Sequence, residues 1–322
     1  MAVYTQIGAE RLAELIACYP VGSLISAKGI AEGVSNSNWV IETTGPDGKG
    51  ARYILTMYER RIDIRDLPFF LGLLDHLAAK GCPVPATIHD REGAAFRTLD
   101  GKAVALIEYL PGVSPDRPST AQAHAVGATL AEMHRALDEF GPSRADRLTP
   151  EASLATLERH ASRLAEIDDA LDSLLPIARD IASQWPDDLP RAIIHSDLFP
   201  DNVLMLDDEV SGMIDFYFAC DGFPAYDLAV THAAWSFEPE GRQFRDRIGQ
   251  RLIQGYRTVR PLSRAELTAF PVLAQGACLR FIASRVEDWF ETPHAAQLRR
   301  KDPMDFMRRL EFYRENGKAA FP

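Results

Sequence analysis

The sequence predicts an α+β protein of two lobes, a small antiparallel sheet followed by a larger helical part. Three observations carry that expectation. Strand-like alternation and glycine turns crowd into residues 24 to 110. Helical spacing of apolar residues dominates from residue 119 onward. Between them the stretch "LPGVSPDRPS" breaks both patterns with prolines and a glycine. The expected division is therefore 1–110, a β-rich lobe, and 111–322, a helical lobe.

Each element has a local reason. The start, "MAVYTQIGAERLAELIACYP", reads as a strand or turn followed by an amphipathic helix. "SNWVIETT" and "ARYILTMY" flank the turn "GPDGKG", so residues 37 to 58 form a hairpin behind "LISAKGIAEGVSNS", a strand that ends in a glycine-containing loop. "DIRDLPFFLGLLDHLAAKG" has helical spacing and stops at Gly81, followed by Pro83 and Pro85. "AAFRTL-DGK-AVALIEYL" makes a second hairpin on a D-G turn.

In the second lobe Ser119 can cap a helix carrying Val126, Leu130, Met133 and Leu137. Leu154, Leu157, Ala161 and Leu164 predict another over 151 to 167, and further helices follow from about 225 to 314. Only "AIIH", "NVLML" and "SGMIDF" read as strands there.

Composition narrows the functional classes. Apolar residues are 46% and charged residues 25% of the 322, an ordinary globular balance. No uninterrupted apolar run approaches the eighteen or so residues of a membrane span, and the start lacks the features of a secretory signal. The formal charge of −11 argues against a nucleic-acid partner. Cys18, Cys82, Cys220 and Cys278 are too scattered for a zinc site or a disulfide framework, which fits a reducing cytoplasm.

The chemistry concentrates in "IIHSDLFPDNVL", residues 193 to 204. So many small polar residues can simply hydrogen-bond their own turn. They also fit H-x-D-x-x-x-x-N, the catalytic-loop pattern of protein kinases, with Asp197 and Asn202 at its two ends. In that chemistry the aspartate orients the attacking hydroxyl and accepts its proton, and the asparagine holds a metal ion. "MIDF" then puts Asp215 after a short apolar strand, where the second metal-binding aspartate of kinases belongs. A tight hairpin between the two pieces is expected to bring Asn202 and Asp215 together, an oxygen pair suited to Mg²⁺.

With "AYDLA" added, "IIHSDLFPDNVL…GMIDFYFAC" resembles the aminoglycoside-phosphotransferase-like kinases, a branch of the protein-kinase-like fold. More narrowly, "KGIAEGVSNSNWVIET", "YILTMYERR", "DLPFFLGLLDHLAAKG" and "IDFYFACDGFPAYDLA" make it similar to the homoserine kinases of that superfamily, in order along almost the whole chain. The resemblance implies a cytoplasmic enzyme using ATP and Mg²⁺ to phosphorylate the hydroxyl of L-homoserine, a step towards threonine. Asp197 would be catalytic, with Asn202 and Asp215 on the metal. Residues 32 to 38, with Gly33, Ser35, Asn36 and Ser37, would lie over the phosphates. The backbone from Glu108 to Leu110 would pair with adenine. His195 is expected to brace the loop, and Asp227 either to brace the site or to cap a helix.

One departure stands out. Thr56 occupies the third-strand position where kinases carry a lysine, with Lys28 or Arg60 as replacements and Asp75 as the nearest helical acid. Asp221, Trp235, Glu238, Arg280, Arg285 and Asp288 are candidates for reading the substrate's ammonium and carboxylate, although an arginine on an apolar helix can simply snorkel. Alternative readings are a kinase of an aminoglycoside or a choline-like alcohol, and a nucleotide-binding pseudokinase.

Overall fold

The computed structural model describes residues 7–30, 36–59, 62–291 and 300–321. They divide into two compact units, Met1–Gly112 with Ser211–Tyr217, and Val113–Val210 with Phe218–Pro322.

The first unit is built on an antiparallel sheet. Its strands are β1 (Leu24–Ile30), β2 (Asn36–Thr43), β3 (Ala51–Tyr58), β4 (Thr87–Ile88), β5 (Arg97–Leu99) and β6 (Lys102–Glu108). The path is β1-β2-β3-β6-β4, and β5 pairs with the start of β6. In β2 the residues Trp39, Ile41 and Thr43 are buried while their neighbours are half-exposed, the alternation of a strand with one face on a core. Helix α1 (Ala9–Ala17) places Leu12, Leu15 and Ile16 in one cluster with Trp39, Ile41, Leu55, Met57, Val104 and Leu106. That amphipathic stripe explains why so short a helix docks.

Helix α2 (Leu67–Ala79) buries Leu67, Phe70, Leu71, Leu73, Leu74 and Leu77. It ends before Gly81, whose φ of 79° is open to glycine without strain. The D-G hairpin turn is formed by Asp100 and Gly101, both left-handed at φ 51° and 79°.

In the second unit α3 (Thr120–Ala136) starts with Ser119 and Gln122 as a reciprocal capping box. The periodic stretch expected as one helix over 151 to 167 is split. Helix α4 (Pro150–Arg159) ends at His160, and Ala161–Glu166 continues as a tighter 3₁₀ segment. Leu157 and Leu164 are both buried, so each piece keeps its apolar contact across the change of helix type. Next come α5 (Leu174–Ser183), β7 (Ala192–Ile194), β8 (Val203–Leu206), β9 (Glu209–Met213, whose last three residues belong to the first unit) and β10 (Cys220–Gly222). Antiparallel β7 and β10 pair Ile194 with Cys220, and β8 with β9 forms the expected hairpin.

Helices α6 (Pro224–Trp235), α7 (Asp246–Val259), α8 (Arg264–Glu291) and α9 (Met304–Ala320) complete the chain. Helix α6 is buried along its entire length, which is why its sequence shows little amphipathic pattern. By length and composition α8 could cross a membrane, although no uninterrupted apolar run reaches that length, because most of its charges lie near its ends. Yet 61% of its most apolar window is buried inside the fold, and Arg280 within it is buried too. It reads as a core helix.

Candidate active site

The loop after β7 is held on two sides. Its backbone turns left-handed at Ser196, φ 68°. A left-handed conformation costs an L-residue about 1–2 kcal/mol, so the surroundings must stabilise it. Two of the four described non-glycine residues with positive φ, Asp100 and Asp207, lie in hairpin turns; Ser196 and Asp215 do not. Both belong to the motifs singled out in the sequence.

The hold on Ser196 begins in α6. The Asp227 carboxylate accepts the N–H of His195 through Oδ2 and that of Ser196 through Oδ1, each at 2.7 Å. Oδ2 also lies 3.0 Å from Nε2 of His134 on α3, whose Nδ1 is 2.8 Å from the Tyr256 hydroxyl on α7. Asp227 is fully buried. Burial by itself raises its carboxyl, but the hydrogen bond and charge of His134 and the influence of His195 bring it below its ordinary value. It therefore braces the loop and does not cap α6, whose N-cap is Phe223.

On the other side Arg280 of α8 donates to the Ser196 carbonyl, and to the Ser196 Oγ at 2.7 Å. Its Nη2 lies 3.6 Å from Oδ1 of Asp197. Only 17% of the Asp197 side chain is exposed. Burial raises the Asp197 carboxyl above its ordinary value, against the opposing charges of Arg280, His195 and Lys301.

His195 is fully buried, and its Nδ1 accepts the Asp197 N–H at 3.2 Å. Five residues on, Asn202 Nδ2 donates to the Asp197 carbonyl at 2.8 Å. That bond orients the amide and leaves Oδ1 as its oxygen donor. Trp235 closes the loop from below, its Nε1 donating to the Leu198 carbonyl at 2.9 Å.

Asp215 belongs to the first unit and is exposed. The segment that carries it is tied down within that unit. The Tyr217 hydroxyl is 3.1 Å from that of Tyr58, and its ring meets Tyr58 and Phe70 edge-on. The Met213 N–H donates to the Pro83 carbonyl at 2.7 Å. Asn202 and Asp215 both offer the hard oxygen donors that Mg²⁺ selects. Among the described residues no group of three or more His, Cys, Asp or Glu side chains is arranged to hold a metal. Few protein ligands is the usual pattern for Mg²⁺ at nucleotide sites, where phosphates and waters supply the rest.

With this geometry in place, comparison with known proteins is decisive. A model of the phosphotransferase enzyme family matches residues 26–262. The chain belongs to that family. Homoserine kinase of Granulibacter bethesdensis is 46% identical over 314 residues, covering 97% of each chain. Homoserine kinase of Rhodospirillum rubrum is 44% identical, covering all of this chain and 99% of its own. Among solved structures, a spectinomycin phosphotransferase in complex with ADP and spectinomycin superposes with a TM-score of 0.74 at 14% identity, covering 98% and 100% of the two chains. A microcompartment-associated aminopropanol kinase gives 0.64 at 17%, covering 97% and 98%. These structures share the protein-kinase-like fold expected from the sequence.

In this phosphotransferase Gly33, Ser35 and Arg60 lie outside the described residues. Asn36 opens β2 and has a buried Oδ1 with no hydrogen-bond partner among the described residues. The Ser37 hydroxyl donates to Glu59 Oε1 at 2.7 Å, and Lys102 is ion-paired to the other oxygen of the same carboxylate. The Glu108 N–H donates to the Ala86 carbonyl at 2.9 Å, while the Leu110 N–H makes no hydrogen bond among the described residues.

Thr56 is buried and donates to Asn38 Oδ1 at 2.8 Å. Asp75 accepts the Thr87 N–H and pairs with His89, so it is engaged away from Thr56. Lys28 is an exposed residue of β1.

The substrate candidates of the second unit separate by their partners. Asp221 pairs with Arg191 and Arg285 with Asp305, while Trp235 and Arg280 serve the loop. Sequence reasoning missed His134 and Tyr256. Their signal is weak, since single polar residues on apolar helical faces usually mean only a satisfied core group.

Proposed function

We propose that this chain is an ATP-dependent homoserine kinase, transferring the γ-phosphoryl group to the hydroxyl of L-homoserine and releasing O-phospho-L-homoserine and ADP. The observation that carries the substrate is likeness over full length, at 42–46% identity, to proteins named homoserine kinase. Asp197 and Asn202 at kinase spacing on a loop braced from two helices, with Asp215 following in the sequence after a short apolar strand, support the reaction class.

Asp197 is the residue assigned to the substrate hydroxyl. A carboxyl raised by burial is a stronger base than an exposed one, and its neighbours restrict it to one direction. Asn202 and Asp215 are assigned to Mg²⁺, which when bound neutralises phosphate charge. Asn36 and Ser37 sit at the end of the segment assigned to the phosphates, with Gly33 and Ser35. The backbone from Glu108 to Leu110 is assigned to adenine. Catalysis then rests mostly on positioning, since phosphoryl transfer asks little covalent chemistry of the protein.

The test is ADP release across a panel of homoserine, choline and spectinomycin, with and without Mg²⁺. Homoserine should be preferred, with turnover lost on adding a chelator. Preference for another alcohol overturns the substrate, and no turnover with any of them overturns the enzyme. Asn202→Ala should raise the Mg²⁺ concentration needed for half-maximal turnover by about tenfold or more.

A further inference from the structure

We infer that Arg280 is a positioning residue for the phosphoryl transfer, holding Asp197 in place through the left-handed peptide that precedes it. The inference rests on the assignment of Asp197 to the substrate hydroxyl.

Ser196 is the pivot. Its N–H is taken by Asp227 of α6 and its carbonyl by Arg280 of α8, so the residue is gripped at both ends. The same guanidinium also donates to Ser196 Oγ at 2.7 Å and reaches to 3.6 Å from Asp197 Oδ1. A planar fork suits this arrangement, because it can serve a carbonyl, a hydroxyl and a carboxylate from one fixed plane.

The guanidinium is itself held firmly. It lies over the rings of Phe218 and Phe281, with centroid distances of 5.3 and 4.7 Å. At 4% exposure, with Nη1 on Ser196 and Nη2 facing Asp197, it is not available to bind a substrate carboxylate. The structure thus replaces the sequence-based expectation of a substrate contact, or of a snorkelling stem, with a fastener. Asp227 fixes where the loop begins, and Arg280 fixes where Asp197 points.

The decisive variants are Arg280→Met and Arg280→Lys, with kcat expressed per nucleotide-binding site so that any unfolded fraction drops out. Both should lower kcat by about 10²-fold, the scale of an ångström-sized misplacement, while KM for ATP stays within about twofold. Lysine keeps the positive charge near Asp197 but cannot grip carbonyl and hydroxyl together. Arg280→Lys with near-normal kcat would therefore overturn the proposal, as would Arg280→Met.

Should neither variant fold, Ser196→Ala removes one acceptor of Arg280 and leaves the Asp227 bond intact. It should lower kcat by about threefold or more at unchanged melting temperature, and full activity would overturn the proposal. Asp197→Asn separates the two levels of the argument. If it is fully active, the assignment of Asp197 fails; if it is dead while Arg280→Met is fully active, only the role of Arg280 fails.

Discussion

Asp227 and His134 meet in the core of the second unit, Oδ2 to Nε2 at 3.0 Å, with both side chains shut away from solvent. Both carboxylate oxygens are committed, because they also take two backbone N–H groups of the loop before Asp197. Asparagine has the same shape but only one acceptor oxygen, so its amide NH₂ would face a backbone N–H. Breaking one side of such a buried charged network costs about 3 kcal/mol or more. Asp227→Asn should lose about that much stability in urea titrations and lose most of its turnover, even when assayed well below its melting temperature.

Asp197 should behave in the opposite way. It is a carboxylate that burial opposes, and its aspartate neighbour Asp201 adds to the effect. Removing it relieves the cost of a buried charge, while Arg280 keeps its bonds to Ser196 and Asn202 its bond to the Asp197 carbonyl. Asp197→Ala is expected to cut kcat by ~10²–10⁴, the range for a positioned acid–base group. Its melting temperature should stay level or rise. A parallel fall in melting temperature and turnover would mean that the side chain is structural.

These two aspartates mark what the sequence could and could not convey. Asp197, Asn202 and Asp215 could be singled out as candidates because their spacing is a local pattern tied to a known chemistry. The hairpins are legible for a similar reason, since turn residues act through neighbours in the chain. Arg280 and His134 are 84 and 93 residues from the partners that explain them. Along the sequence they are an arginine and a histidine on apolar helices, and nothing local separates a brace from a snorkelling stem. The break of α4 at His160 was hidden because apolar periodicity runs on across it. Strand β10 left too short a pattern to read, whereas α5 carries Leu174, Ile177, Ala178 and Ile181 at helical spacing, a signal that sequence reasoning missed.

Helices α3 and α7 supply a prediction about packing. A Cβ on Gly127 of α3 would lie 2.0 Å from the Leu252 carbonyl oxygen of α7. One on Gly255 of α7 would lie 1.9 Å from the His124 carbonyl oxygen of α3. The two backbones touch at both points, and the obstacle is main chain, which cannot swing aside. Alanine is the better helix former by about 1 kcal/mol, so propensity alone predicts a gain. Overpacking should win: Gly127→Ala and Gly255→Ala should each destabilise the fold by about 1–3 kcal/mol or more. Denaturant midpoints decide the sign. A rise in either midpoint would show that the helices separate easily.

Acid sensitivity should trace to His232 in α6. Burial lowers its imidazole to about 3, far below the ordinary 6.5. Nδ1 lies 2.6 Å from the Tyr313 hydroxyl, and Nε2 is buried with no partner among the described residues. Around it stand the rings of Phe244, Tyr313 and Phe321, which offer a proton's charge no counter-ion. Below pH 6.5 the unfolded chain takes up a proton on this histidine that the folded chain refuses. Stability from this group is therefore intact above 6.5 and falls as the pH drops towards 3, at about 1.4 kcal/mol per pH unit. His232→Asn cannot titrate there, so its stability should fall less steeply than wild type between pH 6.5 and 4. Urea titrations at several pH values across that window give both slopes. Parallel slopes would mean that the folded protein accepts the proton on His232 and that its buried setting is not what the acid attacks.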